Sequence, residues 1–276
     1  MSRALGIIIT VLWIGAMTAL VQRDVLPYWR AQEPPAHQIP DGSFQVGITN
    51  AAGMRVGTTW VSAVRMADLV TVHSTTRLDL QGISNLMPFA GDLFLDADLS
   101  YDPQGRLDGF VFRMETSAVA ARIKGTRYDS EFACIAQIGK VTQTMAMDAE
   151  LSRYLGDSFR PFTHLENLHV GQTWRLRLIE PLAMLRGAME FSTRLVKVER
   201  RETIRHAGKD VSCFRIETEG TVAWADDTGR VLRQEVQVPM LGKWTLEDEA
   251  YNDRDRLAAK KAMMNLREER HADPAG

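Results

Sequence analysis

Asp92-Leu93-Phe94-Leu95-Asp96-Ala97-Asp98-Leu99-Ser100-Tyr101-Asp102-Pro103-Gln104-Gly105 carries the two signals that decide the fold. Leu93, Leu95, Ala97, Leu99 and Tyr101 occupy the odd positions, and Asp96, Asp98 and Ser100 lie between them. Side chains alternate between faces along an extended chain, so this run is a strand with one dry and one wet face. It ends in Asp-Pro-Gln-Gly, which has the chemistry of a type I turn closed by a left-handed glycine. A return strand over residues 106–116 follows from that turn.

The same two signals recur outward from this stretch. Over residues 69–80, Val70, Val72, Leu78 and Leu80 alternate with His73, Arg77 and Asp79. Leu232, Val236 and Val238 alternate with Arg233, Glu235 and Gln237, just after a second turn, Asp226-Asp227-Thr228-Gly229. Strands this long, joined by short turns, predict a mainly β chain built as a long-stranded, curved antiparallel sheet or half-barrel. Short helices are expected at 149–156 and, from Pro181, at 181–189. Residues 252–276 read as a charged helical tail. Leu257 and Met264, with Ala258 and Lys261, form its narrow apolar stripe, suited to partial docking on the sheet or to a partner.

Val56-Gly57-Thr58-Thr59-Trp60 resembles Val170-Gly171-Gln172-Thr173-Trp174, and the two Asp-to-Gly turns follow in the same order. One reading is an internal duplication with halves 43–165 and 166–251, the second half gaining one turn or helix. The other is that short hairpin signals recur in any β protein.

Residues 4–21 hold no charge and would span roughly 27 Å as a helix, close to a bilayer's hydrocarbon core. Arg3 precedes the run and Arg23-Asp24 follow it. A retained single-pass anchor is the reading adopted, with a stub at 1–3; a cleaved signal and a buried helix are the alternatives. Pro27, Pro34, Pro35 and Pro40 make 22–42 an extended spacer. Tyr28 and Trp29 fit either the headgroup level or a contact with the domain that follows. Long domains cross membranes largely regardless of charge, so the β domain, 43–251, is expected on the extracytoplasmic side of an inner membrane.

The chemistry-bearing residues form no familiar constellation. Net charge is −2, which supplies no basic field for nucleic acid. There is no nucleophile elbow, phosphate loop, dinucleotide fingerprint or zinc-protease motif. His37, His73, His164, His169, His206 and His271 are scattered, and His164 and His169 are not at helical ligand spacing. Asp226-Asp227 are explained as turn formers. Asp92, Asp96 and Asp98 share one strand, as a cation site or, more simply, a solvated face. Cys134 and Cys213 sit in apolar runs, either as buried thiols or as a disulfide. No cofactor and no metal are expected, and no catalytic residue is assigned.

Aromatic surface remains. Trp60, Phe110, Phe112, Trp174, Trp224 and Trp244 fall in or beside strands, and are the candidate ligand-binding residues if a concave face is filled by a ligand. If the sheet instead fills its own concavity, the same rings are core. Thirteen methionines suit either case.

The Val56-Gly57-x-x-Trp60 strand, the long alternating strands and the late Trp224-to-Arg233 hairpin resemble bacterial envelope proteins of the lipoprotein-carrier (LolA/LolB) type, over roughly residues 43–251. The resemblance implies a curved sheet with an apolar concavity closed by helices, binding acyl chains or lipoproteins. A membrane span in place of a cleaved leader or lipidated cysteine departs from that pattern. The expected function is a membrane-anchored, non-catalytic envelope protein that binds an apolar ligand, lipid or lipoprotein, or a partner. The alternative is an accessory subunit of an envelope transport complex.

Overall fold

The computed structural model describes residues 12–21, 42–66, 69–79, 91–148, 155–157, 162, 164–165, 167–179, 191–238 and 241–272. Among them, fifteen strands form one sheet. The first eight are β1 (Gly42–Asn50), β2 (Arg55–Met66), β3 (Leu69–Asp79), β4 (Asp92–Tyr101), β5 (Leu107–Glu115), β6 (Ala120–Tyr128), β7 (Glu131–Ile138) and β8 (Val141–Asp148). The remainder are β9 (Leu155–Asp157), β10 (Thr173–Ile179), β11 (Phe191–His206), β12 (Lys209–Thr218), β13 (Thr221–Ala225), β14 (Val231–Val238) and β15 (Gly242–Glu249). The C-terminal helix (Asp253–Ala272) follows.

The sheet order is β8 through β1, then β15 back through β9. Sequence neighbours pair except β8 and β9, the two edges, and the first strand pairs with the last, Gln45 opposite Glu249 and Asn50 opposite Trp244. All pairs are antiparallel except β9 with β10. Laid flat, fifteen strands would span about 67 Å at a spacing of about 4.8 Å. Yet only residues 149–154 connect the two edge strands, and they reach at most about 25 Å. Chain length alone therefore forces the sheet to curl until its edges approach each other.

The expected alternation is present. On β4, Leu93 and Tyr101 are buried and Leu95 and Leu99 pack beside them, on the face shared with Val72 and Leu78 of β3. This inner face carries one core from β1–β8 that also takes in Val236, Val238, Trp244 and Leu246 of β14 and β15. A second core covers β10–β14. The core thus crosses any boundary between residues 165 and 166. Phe162, Leu165 and Leu168 lie against the second core, over the small, fully buried Ala223 and Ala225. Buried Gln234 replaces a strand partner there. Its Oε1 accepts from the Phe162 amide (3.2 Å) and its Nε2 donates to the Phe162 carbonyl (2.7 Å).

Both Asp-to-Gly turns form as expected. Asp102 Oδ1 accepts from the Gln104 and Arg106 amides, and Asp226 Oδ1 from Thr228 and Arg230. Gly105 and Gly229 have φ of 73° and 86°, where a Cβ is disfavoured. Between the Gly-x-x-Trp landmark and its turn, however, the first half has β2, β3 and β4, while the second has β10 to β13. In an antiparallel meander one extra strand reverses the direction, so the two turns fall at opposite ends of their strands. Trp60 and Trp174 also sit in different clusters, on opposite faces. The landmarks therefore do not mark a repeated strand plan.

Other expectations are corrected. Leu232 leaves the inner face, because a bulge between Trp224 and Ala225 turns it toward Cys213 and Trp224 on the outer one. Val231, opposite Ala225, takes the inner position instead. Cys134 and Cys213, by contrast, follow the buried-thiol reading: both are free and buried. Residues 155 and 156, expected to end a helix, belong to β9; 149–154 and 181–189 lie outside the described residues. The tail helix forms, but it docks through Ala259 and Met263, with Ala262 and Leu266 beside them. Leu257 and Met264 face solvent, about 52% and 53% exposed, because they project from the opposite side of the helix. Residues 12–20 are helical, and residues 4–11 lie outside the described residues. Among the described residues no helix is long and apolar enough to cross a membrane, so the transmembrane element of the expected fold is not found there.

Gly125 lies across from Phe110 and Cys134. A Cβ there would stand 2.2 Å from the Phe110 ring, which is itself packed against Phe112 and Phe132. Gly125→Ala should therefore lower unfolding free energy by about 1–3 kcal/mol through overpacking, read from the urea midpoint.

Candidate functional site

Pairing of β3 with β4 sets His73 opposite Asp98 and Thr75 opposite Asp96, and β5 brings Arg113 opposite Asp96. All five side chains stand on the outer face. His73 Nδ1 lies 2.6 Å from Asp98 Oδ1, and its Nε2 lies 3.3 Å from Thr75 Oγ1. Thr75 Oγ1 donates to Asp96 Oδ1 at 3.0 Å. Arg113 Nη1 reaches Asp96 Oδ2 at 2.8 Å and Asp98 Oδ2 at 2.7 Å. Burial alone would raise the Asp98 pKa, but the hydrogen bonds and charges of Arg113 and His73 outweigh it and hold the carboxyl below its ordinary value.

Two chemical readings can be tested on this geometry. Donor atoms of His73, Asp96 and Asp98 lie within 4.8 Å of one another, close enough to share a cation. Arg113 already stands between the two carboxylates and supplies the positive charge a metal would bring. Asp92 is not part of the group; it pairs with Arg77 at 2.8 Å. The second reading is nucleophilic, since Thr75, His73 and Asp98 are linked in the order of a hydroxyl, a base and its orienting acid. Thr75 is only 1% exposed and its hydroxyl is committed to Asp96, so a substrate carbonyl has no approach to it. The cluster is a closed charge network that ties three strands together.

A second network surrounds Trp224 on the outer face of β11–β14. Its indole N–H donates to Glu202, and the Arg215 and Arg233 guanidinium groups lie 5.7 Å and 5.4 Å from its ring. Glu202 is held below its ordinary pKa by that Trp224 hydrogen bond first, with burial opposing and Arg200 and Arg215 assisting. Burial, then the charges of Asp226 and Asp227, push the nearby Cys213 thiol up to about 11, far from a reactive thiolate.

The six aromatic candidates are not brought together. Phe110, Phe112 and Trp244 join the inner core of β1–β8, and Trp174 the inner core of β10–β14. Trp60 lies on the outer face with Phe94, under the C-terminal helix, and Trp224 on the outer face among arginines. Trp60, Phe110, Trp174, Trp224 and Trp244 are 4%, 3%, 1%, 7% and 1% exposed; Phe112 is half-buried. The polar cluster escapes sequence reading because 80–91 hides the register between β3 and β4. Its visible signal is that His73, Asp96 and Asp98 all fall on the wet side of their strands.

No protein family, no curated protein and no solved structure matches this chain.

Two outcomes follow from the charge network. Arg113→Met should cost about 2–4 kcal/mol, since Asp96 is left as a buried carboxylate without its cation. Adding Asp96→Asn should recover part of that loss in a double-mutant cycle by urea denaturation. The second concerns pH. Asp98 has a folded pKa below 3.8, so its ionised form favours the fold above that pH, and the contribution is lost as pH falls through the depressed value. Glu249, held down by Arg55 and Gln45 against the opposing effect of burial, acts in the same direction, with its own limit below 4.5. Asp248 opposes them, because burial raises its pKa and protonation relieves the cost. Urea midpoints should fall steeply below about pH 4, and Asp98→Asn should flatten that limb.

Proposed function

We propose that this chain is a non-catalytic bacterial envelope protein, held at the inner membrane by residues 4–21 with its β domain on the extracytoplasmic side. It works by engaging a partner protein through its outer surface, as an accessory subunit of an envelope assembly. The observation that carries this reading is the burial of the rings. A ring that lines a ligand pocket stays accessible from the pocket, whereas five of the six candidates are at least 93% buried by the chain's own atoms. The inner face is spent on folding.

The outer face differs. It displays ion pairs such as Arg55–Glu249, Arg77–Asp92 and Arg233–Glu235, and a helix with Leu257 and Met264 exposed. Mixed charge with a few exposed apolar residues is a usual composition for a non-obligate interface. A lipid-carrier reading would need the packed inner face to open.

Purification of the tagged full chain from envelope membranes, with mass spectrometry of what accompanies it, tests the proposal. The expected result is one stoichiometric protein that survives delipidation. A stoichiometric acyl lipid and no protein would overturn the partner reading, and recovery of the chain in the cytosolic fraction would overturn the tether.

A further inference from the structure

We propose that the C-terminal helix is a strap that lifts from the sheet as a unit, uncovering a helix-binding surface built on Trp60, Phe94 and Glu115. The use of that surface rests on the partner-binding reading above; the lifting itself does not.

The helix is lightly held. Its buried apolar contacts are Ala259 and Met263, supported by the half-buried Ala262 and Leu266. Arg267 Nε donates to Glu115 Oε1 at 2.7 Å, which latches the far end. Each sheet strand, by contrast, is held along a backbone ladder and by core side chains. Elements with few buried apolar contacts open before the rest. The helix also carries its own stabilisation. Asn252 Oδ1 accepts from the Arg254 amide and its Nδ2 donates to Asp255, while Asp253 and Asp255 complement the helix N-terminus. Tyr251 and Ala250 form the short connection to β15.

What lies beneath is unusual for a surface meant only to stay covered. Trp60 is 4% exposed, yet its Nε1–H has no hydrogen-bond partner among the described residues. A buried donor left without an acceptor is a standing penalty of the docked state, relieved when the strap lifts. Phe94 is fully buried and stands next to Glu115, which is 7% exposed, across the β4–β5 ladder. Removing the helix would expose two large rings and an acid, rimmed by Arg77 and Arg113 on the same face. Aromatic anchors inside a charged rim are the composition of binding hot spots.

The resident helix defines the occupant. It offers a small residue at 259, an unbranched apolar one at 263 and a cation at 267, each one turn apart. The partner segment is therefore an amphipathic helix with that pattern, its cation replacing Arg267 at Glu115.

Hydrogen exchange on the full chain tests the lifting. Amides of 256–267 should exchange at least ~100-fold faster than those of β2–β4, with the sheet still protected. Met263→Ala should speed the helix amides by a further ~30-fold or more without moving the sheet's urea midpoint. Equal protection of helix and sheet, or a shift of the sheet midpoint by Met263→Ala, overturns the strap. The latch is read by charge exchange: Arg267→Glu should speed helix exchange, and Glu115→Arg with Arg267→Glu should slow it again. The occupant is read with a synthetic peptide of residues 252–272 carrying a photo-crosslinker at 263, added to the full chain bearing Met263→Asp. Cross-links to β2–β5 beside Trp60, Phe94 and Glu115 support the surface; cross-links elsewhere, or none, overturn it. If the helix opens fast and the peptide lands correctly but no protein accompanies the chain from membranes, the partner reading fails and the strap stands.

Discussion

One ladder holds this molecule together, the antiparallel pairing of Gly42–Asn50 with Gly242–Glu249. Every other pair in the sheet joins strands that are neighbours in sequence. Remove that ladder, and two meanders remain, linked only through residues 149–154 and each with an additional open edge. Its cost is entropic, because it closes a loop of about two hundred residues. Its gain is the continuous inner core, in which Val46 and Ile48 of β1 meet Trp244 and Leu246 of β15. Long-range β pairing of this kind is slow to form, and the hairpins on either side are expected to organise first.

The seam also fixes what lies on the outer face. Gln45, at one end of the seam, faces outward, donates to Glu249 and accepts from the Asn252 amide just before the helix starts. Arg55 closes on Glu249 from the next strand. The helix therefore leaves the sheet at the seam and runs across β2 to β5, where Arg267 meets Glu115. Its placement over Trp60 and Phe94 is a consequence of where the first and last strands join. The paired strands β3 to β5 beside it then carry the His73, Asp96, Asp98 and Arg113 network, whose polar groups are paired with one another.

Much of this was legible locally. The alternation over 69–79 and 92–101 gives the observed dry face, with Leu80 outside the described residues, and both Asp-to-Gly turns form, because each depends only on residues within a few positions. What failed depends on register. Parity puts Leu232 on the dry face, and a single bulge reverses it. The sequence offers a stripe of Leu257 and Met264 with Ala258 and Lys261, while the helix docks through Ala259 and Met263, because which face of a helix meets the sheet depends on where the helix starts. The six rings looked like one site because spacing in sequence does not report which face or which core each will enter. The same limit hid the His73–Asp98 pair, which exists only once β3 and β4 are in register.

Gln234 shows how the sheet resolves its own concavity. A polar amide at an inner position would be costly if left unpaired, and a lipid pocket would leave it so. Here its two polar atoms are met by the amide and carbonyl of Phe162, so the passing segment is hydrogen-bonded as if by a strand. Phe162 and Leu165 then enter the hydrophobic core over Ala223 and Ala225, whose lack of bulk makes the room. An acyl chain could take that place only by breaking both hydrogen bonds and leaving buried groups unsatisfied, at about 1–3 kcal/mol for each. The inner surface around Gln234 is thus specified for the chain's own segment by polar pairing as well as by shape.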